Sequence, residues 1–140
     1  EYELKGVPVR IAIGPKDLEK GTAEIARRDT LTKSYLPMEG LASEVSAMLD
    51  VIQVELFERA KAHRDANIHS ANTWEEFTAA LDRGGFVSAH WDGSPETEDQ
   101  IKDKTKATIR CIPLDNPLEE GQCILTGKPS TQRVLFARAY

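Results

Sequence analysis

The sequence predicts an α/β protein of α+β character: a mixed sheet with flanking helices, a long linking helix, then a second, smaller α/β unit. Three observations carry this. Val7, Val9, Ile11 and Ile13 alternate with Pro8, Arg10 and Ala12, the two-residue period of a half-buried strand. Leu41, Val45, Met48, Leu49, Ile52 and Leu56 recur at helical spacing within Leu41 to Ala66, a helix of roughly 40 Å at 1.5 Å per residue. From Thr73 onward, helix starts and strand-like runs alternate. The 140 residues, 40% hydrophobic and 29% charged, suffice for one domain with a core or two small ones sharing an interface.

In order, the first strand starts near a sheet edge, because Pro8 donates no ladder hydrogen bond. Gly14-Pro15 ends it, and Asp17 to Gly21 reads as a turn or a single helical turn. Ala23 to Arg28 and Thr32 to Leu36 follow as strands, joined at Asp29-Thr30, and Pro37 and Gly40 punctuate the entry to the long helix. Val51, Val54 and Phe57 fall off that helix's main stripe, so its middle is apolar on more than one side. A clasp from two directions and a single wide core face both account for that surplus. Asn67 to Ser70 is a polar connector. Thr73-Trp74-Glu75-Glu76 is a capping box opening a helix that ends at Gly84-Gly85. Phe86 to Trp91 alternates as a strand, and Ser94-Pro95 caps another short helix. Ala107 to Pro113 is a strand, Asp115 to Gly121 an acidic loop, and Val134 to Tyr140 a final strand or extended tail.

The net charge of −5 argues against a protein that coats nucleic acid by electrostatics alone. Residues 1–33, however, hold seven Lys/Arg against six Asp/Glu, a mildly basic end that can meet RNA locally. No apolar run is long enough to span a membrane, no signal peptide is present, and two cysteines make no disulfide framework; a cytoplasmic protein with reduced thiols is expected. The chain begins at Glu1 without a methionine, as a piece of a longer polypeptide would. Among motifs there is no nucleophile elbow, zincin helix, phosphate-binding loop or dinucleotide fingerprint. His90 is expected to be hydrogen-bonded rather than catalytic, and Asp115, Glu119 and Glu120 to form a solvated face. The segment has no catalytic site of its own.

Two stretches carry more. The first is Glu3-Leu4-Lys5-Gly6-Val7-Pro8-Val9-Arg10-Ile11-Ala12-Ile13-Gly14-Pro15-Lys16-Asp17, followed by Arg27-Arg28-Asp29-Thr30. The second runs through Gly84-Gly85-Phe86, His90-Trp91, Thr108 to Pro113 and Gly127-Lys128-Pro129 to Phe136-Ala137-Arg138-Ala139-Tyr140. In this order they resemble the C-terminal part of prolyl-tRNA synthetases of the archaeal/eukaryotic type, a type also found in some bacteria, over essentially the whole chain.

The resemblance implies that residues 1–67 are the later portion of a class II anticodon-binding domain with the long linking helix. Residues 68–140 would be a C-terminal zinc-binding-type domain. The class II catalytic domain, with its proline, ATP and Mg²⁺ sites, would lie upstream. The implied role is tRNA-anticodon recognition and scaffolding within a proline–tRNA ligase, with tRNA(Pro) and that catalytic domain as partners. The parent would be a homodimer and this segment a monomer. Glu3, Arg10, Lys16 and Lys33 are the implied anticodon contacts, the last because the family's Gly-Glu-Lys turn reads Leu31-Thr32-Lys33 here. A carboxylate accepts from both N–H donors on guanine's Watson–Crick edge, and Arg or Lys donates to O6, N7 or phosphate. The family's four zinc cysteines read Asp92, Thr97, Cys123 and Thr126, so a degenerate site without zinc is expected. Cys111 would be a small buried hydrophobe. Tyr140 matches the family's terminal tyrosine, whose α-carboxylate reaches the active site. The long helix would then pack on the sheet with one face and on the zinc-type domain with the other. The alternative from another class is an acidic α/β protein-interaction module that has lost its metal, and binding to proline tRNA against an anticodon-mutated control separates the two.

Overall fold

The computed structural model describes residues 1–139. Within them the chain forms two compact units, Glu1–Ala62 and the residues from His63 onward. The fold is mixed α/β, as the patterning predicts.

The first unit is a three-stranded antiparallel sheet in the order β1 (Val9–Ala12), β2 (Thr22–Arg27), β3 (Lys33–Pro37). Helix α1 (Pro15–Lys20) joins β1 to β2; its first turn is capped by Asp17 Oδ2, which accepts from Gly14 N at 2.8 Å. Helix α2 (Leu41–Ala66) follows β3. Ala23 and Ile25 are buried on one face of β2, and Arg27 on that same face reaches Glu55 of α2. Ile52, one turn earlier, is buried as well. Arg27 also chelates Asp29 (Nε–Oδ1 3.1 Å, Nη2–Oδ2 2.7 Å), and Arg59 of α2 donates to the Asp29 carbonyl at 3.2 Å. Charged groups therefore lock α2 to the β2–β3 turn.

Two expectations need correction here. On α2, Ile52 alone is fully buried; Leu41, Val45 and Met48 are half-buried. Leu49 and Leu56 are exposed, so the six-residue buried stripe is not realised. Three strands about 4.8 Å apart offer a face roughly one helix wide, enough for a single narrow stripe. Ile11 of β1 and Ile13 just beyond it are 45% and 52% exposed where a half-buried strand was expected. The strand lies at the sheet edge, and no described element covers that part of its apolar face.

The second unit is a four-stranded sheet in the order β4 (Ile68–Ser70), β5 (Phe86–His90), β9 (Arg133–Arg138), β6 (Ala107–Cys111). Strand β4 replaces the expected connector. It runs parallel to β5, and Gly85 permits the approach: at φ +80° a Cβ there would stand 2.4 Å from the Asn67 carbonyl oxygen. Helices α3 (Trp74–Arg83) and α4 (Pro95–Thr105) pack against the sheet. The capping box of α3 forms as the sequence predicts, Glu76 N donating to Thr73 Oγ1 and Thr73 N to Glu76 Oε2. Val87 and Ala89 pair with Phe136 and Val134 on the core face, joined by Phe77 of α3 and Ile101 of α4. Phe77 meets Phe136 edge to face at 5.1 Å. Each large side chain buried here contributes about 1.5–3 kcal/mol. A short hairpin, β7 (Gly121–Gln122) and β8 (Pro129–Ser130), closes the unit. Cys111 is exposed rather than buried: a register shift after Ile109 sets it opposite Leu135, off the core face that Phe136 occupies. No described helix is long and apolar enough to cross a membrane.

Candidate functional site

At the start of the chain a hydrogen-bonded turn folds Tyr2 and Glu3 back toward β1. Lys5 N donates to Glu1 O (3.2 Å), Gly6 N to Glu3 O (3.2 Å) and Val7 N to Tyr2 O (3.1 Å). Glu1, Tyr2, Glu3, Val7 and Arg10 line one pocket as a result. Glu1 holds Lys5, which leaves Glu3 and Arg10 with no ion-pair partner among the described residues. A free carboxylate and a free guanidinium thus share a concavity, the pair needed to meet the donor and acceptor edges of a base.

Register extends the site across the sheet. Arg10 pairs with Ala26, and Ala26 with Lys33, so the two cations stand in one row, about 10 Å apart, on the face opposite Ala23 and Ile25. Lys33 is bridged to Glu24 at 2.9 Å, and Tyr35 OH donates to the same carboxylate at 3.3 Å. The Lys33 hydrogen bond, against the opposing effect of burial, holds the Glu24 carboxyl below its usual value, helped by the charges of Lys33 and Arg10. Lys16 is not brought into this group: it sits on α1, past the opposite end of β1. The structure therefore gathers Glu3 with Arg10, and Arg10 with Lys33. Tyr2, 65% exposed and lining the pocket, was missed in the sequence; its adjacency to Glu3 was the available signal.

In the second unit, three of the four positions that the resemblance matches to zinc ligands, Asp92, Thr97 and Thr126, meet at the Asp92 carboxylate. Asp92, just after β5, accepts at Oδ2 from Thr97 Oγ1 (3.0 Å) and Thr126 Oγ1 (2.9 Å), and at Oδ1 from Ser94 N (3.2 Å). Thr97 lies in the first turn of α4. Thr126 and buried Cys123 share a turn closed by Cys123 N to Lys128 O (2.8 Å) and Gly127 N to Cys123 O (2.9 Å). Burial pushes the Asp92 carboxyl up, but the bonds from Thr126, Ser94 N–H and Thr97, with Lys128 nearby, outweigh it and leave it below its ordinary 3.8. This donor set does not fit zinc. The carboxylate is occupied by the hydroxyls themselves, one thiol remains, and no three His, Cys, Asp or Glu side chains converge among the described residues.

Beside the knuckle, His90 is buried against the backbone of Gly121, where a Cβ would lie 2.2 Å from its Nε2. Ser130 Oγ donates to Gln132 O (3.0 Å) and accepts from His90 Nδ1 (3.1 Å). Glu119 is exposed, as expected of the acidic loop, and is in addition gripped by Arg133 through Nε (2.9 Å) and Nη2 (3.1 Å). That grip, against burial, lowers the Glu119 carboxyl. Arg133 Nη1 also donates to Ala71 O (3.1 Å) and Ser88 O (3.3 Å), tying the acidic loop to β4 and β5. No sequence pattern singled Arg133 out. Tyr140 lies outside the described residues.

Comparison with known proteins gives the same two parts. Residues 1–48 match the family described as "Anticodon binding domain", and residues 74–140 match "Prolyl-tRNA synthetase, C-terminal". Over the whole chain it is 60% identical to a protein of Flavobacterium psychrophilum, 57% to one of Cytophaga hutchinsonii and 55% to one of Christiangramia forsetii, each named proline–tRNA ligase. The chain spans 29% of the length of these relatives. All three are bacterial proteins, so the match is to the synthetase as such and not specifically to an archaeal or eukaryotic form. With an anticodon-binding match at one end, the synthetase C-terminal family at the other and identity of 55–60% throughout, the chain is similar over its whole length to the C-terminal regions of prolyl-tRNA synthetases.

Proposed function

We propose that this chain is the tRNA-anticodon-recognition and scaffold segment of a proline–tRNA ligase, a class II enzyme that activates proline with ATP and joins it to tRNA(Pro). The observation that carries the reading is the pocket in which Glu3 and Arg10 stand without ion-pair partners. Glu3 accepts from the two N–H donors of an anticodon guanine; Arg10 donates to O6 and N7 or to a phosphate. Lys33, in the same row as Arg10, adds a cation to the adjoining backbone, and Lys16 meets the RNA farther along.

Residues 1–67 form the later portion of the anticodon-binding domain with its linking helix, and 68–140 the zinc-type domain held without zinc. The half-exposed Ile11 and Ile13, on and just after an edge strand, support this division, because upstream residues that complete the fold would cover them. The catalytic domain, with its ATP and Mg²⁺ sites, lies upstream in the same cytoplasmic polypeptide, which dimerises through it, while this segment alone is a monomer. The Tyr140 α-carboxylate reaches toward its active site. The Glu3–Asp17 block and the closing Phe136–Tyr140 support the archaeal/eukaryotic type, which some bacteria also carry.

In the full-length enzyme, Glu3→Ala and Arg10→Ala should each lower tRNA charging while leaving proline-dependent ATP–pyrophosphate exchange intact. Unchanged charging in both variants refutes the proposal.

A further inference from the structure

We infer that Tyr2 is a stacking platform for a base held at the Glu3–Arg10 pocket, a positioning residue that supplies affinity while its neighbours supply selectivity. The inference rests on the anticodon reading above and deepens it. Three features of the site lead to it.

First, Tyr2 is 65% exposed, yet it is not on a frayed end: its carbonyl accepts from Val7 N at 3.1 Å, within a turn that three backbone bonds close. Second, Tyr2 lines the same pocket as Glu3 and Arg10. Third, Lys5 Nζ lies 5.4 Å from the ring centroid and is itself paired with Glu1, so the aromatic is fixed from its own turn rather than from the core. An aromatic ring kept in water beside groups suited to a base edge is the arrangement by which proteins hold unstacked RNA bases. Edges are read by hydrogen bonds; the face is held by a ring that accepts any base. A tyrosine also brings this area with only two side-chain torsions to fix on binding.

The division of labour yields a specific expectation. Glu3 and Arg10 discriminate among bases, so losing them relaxes selectivity. Tyr2 binds a π-face common to all four bases, so losing it weakens intact and anticodon-substituted tRNA by the same factor and leaves their ratio unchanged.

The test is a binding cycle with the full-length enzyme and tRNA(Pro) in two forms, intact and with an anticodon guanine replaced by an abasic nucleotide, each guanine in turn. Tyr2→Ala should weaken intact tRNA about tenfold or more. For one of the abasic tRNAs the same substitution should change the dissociation constant less than twofold, because the partner face is gone. Tyr2→Phe and Tyr2→Trp should restore binding, whereas Tyr2→Leu, apolar but without a ring, should not. An equal loss on intact tRNA and on every abasic form, or rescue by leucine, overturns stacking and makes Tyr2 a structural residue. No loss with Tyr2→Ala, while Glu3→Ala and Arg10→Ala do weaken binding, overturns this inference alone. No loss in any of the three overturns the anticodon reading beneath it.

Discussion

Asp92→Ala should be among the most damaging single changes in the second unit outside the apolar core. The substitution removes the acceptor for Thr97 Oγ1, whose side chain is 97% buried, and for the Ser94 amide at the start of α4. Thr126 is exposed and can turn its hydroxyl to water. A buried donor left unpaired costs about 1–3 kcal/mol, and the bonds lost are to a charged acceptor, so a loss of about 2–4 kcal/mol is expected. For a unit of this size that lowers the melting temperature by about 10–20 °C. Asp92→Asn keeps one acceptor oxygen and should cost about 1 kcal/mol. The acid limb adds a second readout. Because the folded-state carboxyl lies below 3.8, the unfolded chain takes up the proton first. Asp92 therefore contributes stability above the unfolded pKa, and that contribution disappears as pH falls through the folded value. Asp92→Asn should flatten the loss of stability below about pH 4. The assay is thermal and urea unfolding across pH, followed through tryptophan fluorescence, since Trp91 Nε1 donates to Ser94 O at 3.1 Å inside the knuckle. An Asp92→Ala protein within 0.5 kcal/mol of wild type, by a mutational yardstick for surface sites, refutes the carboxylate hub. So does a wild-type melting temperature that falls when a chelator is added.

Two further outcomes follow from geometry. Replacing Asp92, Thr97 and Thr126 by cysteine beside Cys123 should create four thiolates and bind one equivalent of cobalt(II), seen as thiolate charge-transfer bands; no binding by a folded variant refutes the convergence of the four positions. Leu31, 81% exposed, holds φ +57°, a conformation that costs a side chain about 1 kcal/mol, so Leu31→Gly should raise stability by about 0.5–1 kcal/mol in urea denaturation, and a lower value refutes the strain.

Legibility in the sequence tracked how local each determinant is. The bounds of α2 and the cap of α3 are set by neighbours three or four residues apart, and both match the structure. Strand β4 was missed because its three residues, Ile68, His69 and Ser70, are too few to show a period; the parallel bond to β5 and the missing Cβ of Gly85 decide it. Arg133 was missed for the same reason on a longer scale: its partners Ala71, Asn72, Ser88 and Glu119 lie 14–62 residues away. At the pocket, Glu3 and Arg10 were legible as chemistry, but that they share a pocket depends on a turn closed by backbone bonds that leave no trace in residue type. At the knuckle, what was legible was the loss of thiolates. That the substitutes satisfy one another, with Asp92 as the acceptor for both threonines, required the fold.

Periodicity reports which face of an element is apolar, not whether the covering element belongs to the same stretch of chain. Val7, Ile11 and Ile13 alternate as regularly as Val87 and Ala89, yet the first set is 39–52% exposed and the second is fully buried. Propensity runs the other way, since the exposed set is entirely β-branched while the buried pair includes Ala89. The distinction lies in what packs above. The core strand β5 is covered by α3, while β1 is an edge whose outer apolar positions meet nothing among the described residues. The same holds for Val51, Val54 and Phe57 of α2, exposed although helical spacing marks them for contact. The chain spans 29% of its relatives' length, and an edge strand with uncovered apolar positions is a place where further residues can pack. Under the proposed function, Ile11 and Ile13 lose accessibility in the full-length enzyme while Val7, in the open pocket, keeps its own, and protection measured residue by residue there checks the difference.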